Sequence, residues 1–292
     1  DQAPRLHDVV ASPGGGYGSW AFLTLLSALS VMFLPRQFHI AVVENVDEDH
    51  LRKAIWIFPL YLLLINVFVL PVALGGMLLF PGGNVDADTF VLTLPMARRA
   101  ETLALFAYLG GLSAGTGMVI VETIALSTMV CNDLVMPALL RMRWLRLNER
   151  RDLSWLLVSI RRLAIAAVLL LGYVYFRAAG EAYALVAIGL ISFAAVAQFA
   201  PAILGGLYWR RATGAGAHAG LVGGFAVWGY TLAIPSIAKS GWVSAAYLDE
   251  GLFGIQLLRP QQLFGLTGFD ETSHAIFWSL LVNVVLYVGV SL

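Results

Sequence analysis

A single carboxylate deep inside an apolar run is the first group in this sequence that could do chemistry. Glu122 follows Leu109-Gly-Gly-Leu-Ser-Ala-Gly-Thr-Gly-Met118, and the apolar run continues to Asn132-Asp133. Hydroxyls stand around it at Ser113, Thr116 and Thr123. An ionisable side chain in such a run is costly unless it faces a cavity or a partner, so Glu122 marks a candidate site for a proton or a polar solute. Clustered glycines allow a ligand or another backbone to come close. Without a ligand, the same stretch reads as a close-packed helix with Glu122 paired or protonated.

Other chemistry is missing from the residue pattern. There is no nucleophile elbow, no phosphate-binding P-loop and no His-Glu-x-x-His. Cysteine and histidine spacing fits no zinc site, and Cys131 has no second cysteine to pair with. The five histidines (7, 39, 50, 218 and 274) lie near loops or segment ends, which excludes a haem held by paired intramembrane histidines. Asp86 and Asp88, with Gly82 and Gly83, are too few ligands for a hard-cation site. No catalytic residue and no metal ligand is assigned. A net charge of zero gives no reason to expect nucleic acid.

The elements that must position Glu122 are membrane helices. Hydrophobic residues make up 59% of the chain and charged residues 12%, with a mean hydropathy of +0.80. A soluble domain carries about 25% charged residues. Seven hydrophobic segments follow one another at about 19–35, 55–79, 102–130, 160–176, 184–208, 219–237 and 275–292. About 20 apolar residues span a bilayer as a helix. The fourth segment is at the short limit, and the third is long enough that it must tilt, bend or project. The expected architecture is one all-α integral membrane domain over residues 1–292.

Basic residues orient it. Arg36, Arg52, Lys53, Arg141, Arg143, Arg146, Arg150, Arg151, Arg161, Arg162, Arg210 and Arg211 fall on one side of the alternating segments. Arg5, Arg98, Arg99, Arg177, Lys239 and Arg259 fall on the other. The richer side is expected in the cytoplasm, which puts the N-terminus outside and the C-terminus inside. Residues 1–18 lack the features of a signal peptide. The expectation is therefore a later part of a larger protein whose earlier crossings precede Asp1.

The connections add detail. Gln37 and His39 sit in Pro35-Arg-Gln-Phe-His39, where a broken helix would meet water. The acid run Glu44, Asp47, Glu48, Asp49 reads as a solvated surface or a helix cap. The basic linker 141–151, with Trp144 and Trp155 nearby, suits an interface with anionic lipid. The loop 238–273 reads as a lid or a short helix. In Gln198-Phe-Ala-Pro201 the proline frees a carbonyl upstream, which protein or water must satisfy. Tyr208 and Trp209 with the arginines form an interface anchor, and the small-residue run Gly214–Gly220 favours close helix packing. Interrupted apolar helices with a few polar groups are the pattern of secondary transporters.

Several of these stretches resemble the sodium:solute symporter family. Pro35-Arg-Gln-Phe-His39 is similar to that family's Gly-Gln-Pro-His segment. Ser127-Thr-Met-Val-Cys-Asn-Asp133 looks like the end of its long cation-site helix, and Gln198-Phe-x-Pro201 with Gly-x-Tyr-Trp209 is similar to a later helix and its exit. Leu34–Asn45 together with Met129–Pro137 resembles the symporter-like membrane domains of bacterial, often hybrid, sensor histidine kinases. The likeness implies the second part of a LeuT-like inverted-repeat fold, with about seven transmembrane helices, in the bacterial inner membrane. It also implies cytoplasmic kinase modules or a response regulator as partners in two-component phosphorelay signalling. The family's adjacent Ser-Thr sodium ligands align with Gly117-Met118, and a thioether is a poor ligand for a hard cation. Sodium coupling through Ser113 and Thr116 and proton coupling through Glu122 both stay open, and no organic cofactor is implied.

The reading is a transporter or sensor domain for a small nutrient, an amino acid or a carboxylate, attached to a histidine kinase. The alternative is a stand-alone cation-coupled symporter. A membrane enzyme lacks a catalytic constellation in this chain. Ser113, Thr116, Gly117, Glu122 and Thr123 are assigned to the cation or substrate region. Gln37, His39 and Gln198 are assigned to the substrate pathway or its gating, with Gln198 in contact with the Glu122 helix.

Overall fold

A computed structural model describes residues 17–83, 85–142, 153–179, 185–239, 248, 250–251 and 254–292. All regular structure among the described residues is helical. Six helical stretches are long and apolar enough to cross a membrane, or seven if one bent pair counts as a single span. This is the composition of a multi-pass membrane protein. The basic linker residues Arg143, Arg146, Arg150 and Arg151, Trp144, and residues 1–16 of the expected loop 1–18 lie outside the described residues, while Tyr17 and Gly18 of that loop are helical. Most of 240–249 also lies outside the described residues.

The chain forms two compact units, residues 38–174 and residues 1–37 with 175–292. In the second of these, α1 (Tyr17–Phe33) ends where Pro35 removes a backbone donor and crowds the preceding turn. After Leu34 the chain bends by 48° into the short α2 (Pro35–Phe38), which continues directly as a π-helical turn, His39–Val43.

In the unit 38–174, α3 (Glu48–Asn66) opens on Asp47, whose carboxylate accepts the Asp49 N–H at 3.0 Å. Glu48 and Asp49 in its first turn also complement the helix dipole. The acid run is thus a helix cap, and the helix starts seven residues before the apolar run that announced it at 55. A break at Val67–Phe68 precedes α4 (Val69–Leu79), where Pro71 stands in the first turn. The short α5 (Phe90–Ala97) folds back on α4 because Gly76 leaves room for Phe90, whose ring would lie 2.1 Å from a Cβ there. Arg99, at φ +57°, turns the chain into α6 (Glu101–Met129). A π-helical turn, Val130–Val135, joins α6 to α7 (Met136–Arg141). Pro137 explains that turn, since a wider turn relieves the clash of the proline ring with the carbonyls before it. The long third segment therefore changes its helical register rather than running on unbroken. Arg161 and Arg162 lie within α8 (Ser154–Ala179), which begins before the expected 160 because the apolar stretch 155–158 ahead of the arginine pair is helical too.

The unit 1–37 with 175–292 holds the better packed core. Leu26 and Leu29 of α1, Ala194 and Ala197 of α9 (Leu185–Ala197), Leu232, and Ala275 and Ile276 of α13 (Glu271–Ser291) pack together. The fifth segment is broken at Gln198–Phe199 before α10 (Ala200–Tyr208), with Pro201 at the start of the second piece. Helix α11 (Gly214–Trp228) is capped by Thr213, whose hydroxyl accepts the Gly216 N–H at 3.1 Å. It passes through a second proline-adjacent π turn, Gly229–Ala233, into α12 (Ile234–Lys239), which contains Pro235. The glycines of α11 lie against α13 so closely that a Cβ at Gly220 would be 2.8 Å from the Asn283 carbonyl. At the other end of α13, Trp209 meets Tyr287 edge-on, with ring centroids 5.5 Å apart.

Candidate functional site

Helix α6 presents the first group of candidate residues. At 3.6 residues per turn, Ser113, Thr116 and Gly117 share one face, and Thr123 lies on its edge, two turns on from Thr116. The Thr116 hydroxyl donates to the Leu112 carbonyl at 2.7 Å. The Thr123 hydroxyl is placed between the Val119 and Ile120 carbonyls at 2.8 and 3.0 Å. Both protons are thus turned to the helix backbone, which leaves oxygen lone pairs as the groups these residues can offer a cation. Ser113, Thr116 and Gly117 are exposed, and Thr123 is buried. Among the described residues nothing stands within 4 Å of a Cβ built at Gly110, Gly111, Gly115 or Gly117.

Glu122 is half-buried and lies on a different face. In a regular helix it is about 120–180° round the axis from Thr116, Gly117 and Ser113. One cavity beside α6 cannot take both a carboxylate from that position and the hydroxyl face. If Glu122 carries a proton, it does so apart from the cation face.

Gln37 and His39 stand on either side of the boundary between the two units. Gln37 is half-buried in α2. His39 belongs to the π turn, and its Nε2 is 3.1 Å from the Glu44 carboxylate. This pair closes the turn on itself and gives His39 a local partner.

Gln198 proves to be the centre of a buried polar node that the sequence reading named only in part. Its Nε2 donates to the Ala194 carbonyl at 3.2 Å and to the Ser279 hydroxyl at 2.9 Å. Asn283 Nδ2 donates to the Gln198 backbone carbonyl at 2.8 Å and to Gln198 Oε1 at 3.2 Å. The carbonyl left over by the break before Pro201 is therefore satisfied by a side chain from α13. Gln198, Ser279 and Asn283 are each 1% exposed or less. Asn283 Oδ1 has no hydrogen-bond donor and lies against Gly220, where a Cβ would be 2.7 Å away. A weak Cα–H···O contact is the interaction that such closeness permits. A polar side chain inside an apolar run was the available signal for Asn283, and Ser279 one turn earlier supported it. The partners of Gln198 so described lie within its own unit.

Compared with known families, with curated proteins and with solved structures, the chain finds no match.

The chemistry open to these groups is coordination and proton binding. Among the described residues, no three His, Cys, Asp or Glu side chains gather where they could hold a metal ion. What the fold provides is a series of apolar helices interrupted at Leu34, at Val67–Phe68 and at Gln198–Phe199, with π turns at Val130–Val135 and Gly229–Ala233. Each interruption frees backbone groups or changes register inside a segment that otherwise satisfies itself.

Proposed function

We propose that the chain is the solute-transporting or solute-sensing membrane domain of a bacterial sensor histidine kinase, built on the second part of a LeuT-like fold. Its solute is a small nutrient, an amino acid or a carboxylate. The observation that supports this reading is the repeated interruption of apolar spans at prolines and π turns. Interrupted helices place backbone carbonyls and helix ends at membrane depth, where ions and polar solutes can use them. The likeness of Leu34–Asn45 and Met129–Pro137 to symporter-like kinase domains adds the signalling half. Solute binding must favour one of two conformations of the membrane domain for cytoplasmic kinase modules to respond. The cytoplasmic C-terminus in the inner membrane belongs to the same reading.

Within it, Glu122 is the proton-coupling group and the Ser113–Thr116–Gly117 face is the cation-facing surface. Their separation around α6 makes the two roles independent. The test is uptake of labelled amino acids and carboxylates by the full-length protein in proteoliposomes, with sodium and proton gradients imposed separately. Proton-driven uptake is expected to be lost in Glu122→Gln. Sodium-driven uptake that survives this substitution and fails in Thr116→Val would move coupling to the hydroxyl face. Uptake under neither gradient, with no solute-dependent kinase phosphorylation, would overturn the proposal.

A further inference from the structure

Residues 254–270 close over one end of the unit 1–37 with 175–292. The Tyr230 hydroxyl donates to the Leu258 carbonyl. The Leu263 N–H donates to His274 Nε2 at 3.1 Å, and the Phe264 ring lies 5.1 Å from that of Trp278. Accepting a backbone N–H at Nε2 leaves His274 neutral, with its proton on Nδ1.

That Nδ1–H has no acceptor, although His274 is 1% exposed. Nor is it alone. Trp278 Nε1, one turn further along the same stripe of α13, is buried without a partner. So are Gln261 Nε2 and Arg259 Nε on the closing segment, and so is one acceptor, Asp270 Oδ1, one turn before His274. Buried polar atoms are almost always paired, and a group of unpaired ones on the first turns of α13 and on the segment that contacts them calls for a partner that completes them. The pattern is four N–H donors, the Ser273 hydroxyl, which can donate as well, and a single carboxylate oxygen. A solvent molecule offers two acceptor positions at most, and apolar ligands offer none. A carboxylate offers about four. The neighbouring Lys239–Glu271 pair, at 2.5 Å, already balances itself and leaves Arg259 as the cationic group of the closing segment.

We propose that this end of the unit is a binding site for a small carboxylate-bearing solute, with residues 254–270 as its cover. The solute's carboxylate takes the N–H groups of His274, Trp278, Gln261 and Arg259. Asp270 takes the ammonium of the solute where there is one. The cover is drawn shut over unpaired groups, and it must lift for the solute to reach them. Gly254, Gly265 and Gly268, at φ of +75°, +74° and +105°, are the positions about which its backbone can turn.

The site rests on the solute-binding reading and extends it to residues other than those of α6, and it is tested by binding rather than uptake so that the two fail separately. The full-length protein in lipid nanodiscs is titrated calorimetrically with propionate and with L-alanine, and amide exchange of residues 254–268 is followed in parallel. Saturable binding with slowed exchange in that segment is expected. Trp278→Phe keeps the ring against Phe264 and removes the donor, and Gln261→Met keeps the length and removes the amide. Each is expected to weaken binding roughly tenfold, the effect of one charge-assisted hydrogen bond. L-alanine binding better than propionate in the native protein, with the advantage lost in Asp270→Asn, identifies an amino acid. Equal binding identifies the carboxylate alone. Absence of binding by either probe at millimolar concentration overturns the site, as does binding that both variants leave unchanged while they keep the native thermal midpoint.

Discussion

Helices α11 and α6 both carry glycines at helical spacing, and their surroundings differ completely. On α11 a Cβ at Gly216, Gly220, Gly223 or Gly224 would lie 2.0, 2.7, 2.2 and 2.4 Å from Ser291, Asn283, Leu286 and Gln198 respectively. On α6 a Cβ at Gly110, Gly111, Gly115 or Gly117 meets none of the described residues within 4 Å. The first set serves close packing of two helices and sets the distance at which Asn283 reaches the Gln198 carbonyl. The second set holds open a surface that also carries Ser113 and Thr116. Small residues in an apolar run therefore have two meanings here: closeness already used, and closeness left available.

The largest expected effect tests the first meaning. Gly224→Val would force β-branched bulk into Gln198 Oε1 at 2.4 Å and Asn283 Nδ2 at 2.7 Å. Overpacking costs about 1–3 kcal/mol, and a displaced Asn283 would leave the Gln198 carbonyl unpaired at a further cost of about 1–3 kcal/mol. Denaturation of the detergent-solubilised protein should show a loss of several kcal/mol. A variant as stable as the native protein would show that α13 can retreat from α11, and that the contact is not fixed by its glycines.

The next effect is smaller and of opposite sign. Gly115→Ala and Gly117→Ala should stabilise α6 by about 0.5–1 kcal/mol each, because alanine loses less backbone freedom in a helix and nothing opposes the added methyl. The same denaturation experiment reads this. Destabilisation by either substitution would mean that another surface covers α6 in the membrane. A loss of uptake with unchanged stability would place the solute or cation on this face.

The two helices also show what could be read in the residues and what could not. Every apolar run was visible, because a bilayer-spanning helix must be apolar over its length. The starts were late. The runs begin at 55, 160, 219 and 275, and the helices begin at Glu48, Ser154, Gly214 and Glu271. Hydropathy marks the part of a helix in lipid, while caps such as Asp47, Thr213 and Asp270 belong to the polar turns outside it. The proline at 201 correctly announced a break and a freed carbonyl. Its partner, Asn283, lies 85 residues away in sequence, and only the fold brings the two together. The site residues on α6 are legible in the sequence by type alone. Their division between two faces follows from the unbroken helical phase of Glu101–Met129, which glycine-rich sequence does not guarantee.

The smallest effect concerns the cap of α13, and it separates an end held by side chains from one that is not. Asp270 Oδ2 accepts the Ser273 N–H at 3.2 Å, whereas Ala100 at the start of α6 has no side chain to offer. Burial opposes the charge on Asp270, but hydrogen bonds from Ser273 and Ser19 outweigh it and hold the carboxyl below the usual carboxylate range. A group whose folded pKa is depressed stabilises the fold above its unfolded value, about 3.9 for aspartate, and the contribution is lost as pH falls through the folded pKa. Amide exchange over residues 271–275, corrected for intrinsic rates, should thus be flat from about pH 5 to 8 and accelerate below about pH 4. Asp270→Asn keeps an acceptor at the cap and costs only a few tenths of a kcal/mol at neutral pH. It should remove the acid limb of the exchange profile. An acid limb that persists in Asp270→Asn would show that the cap carboxylate is not the group on which acid acts.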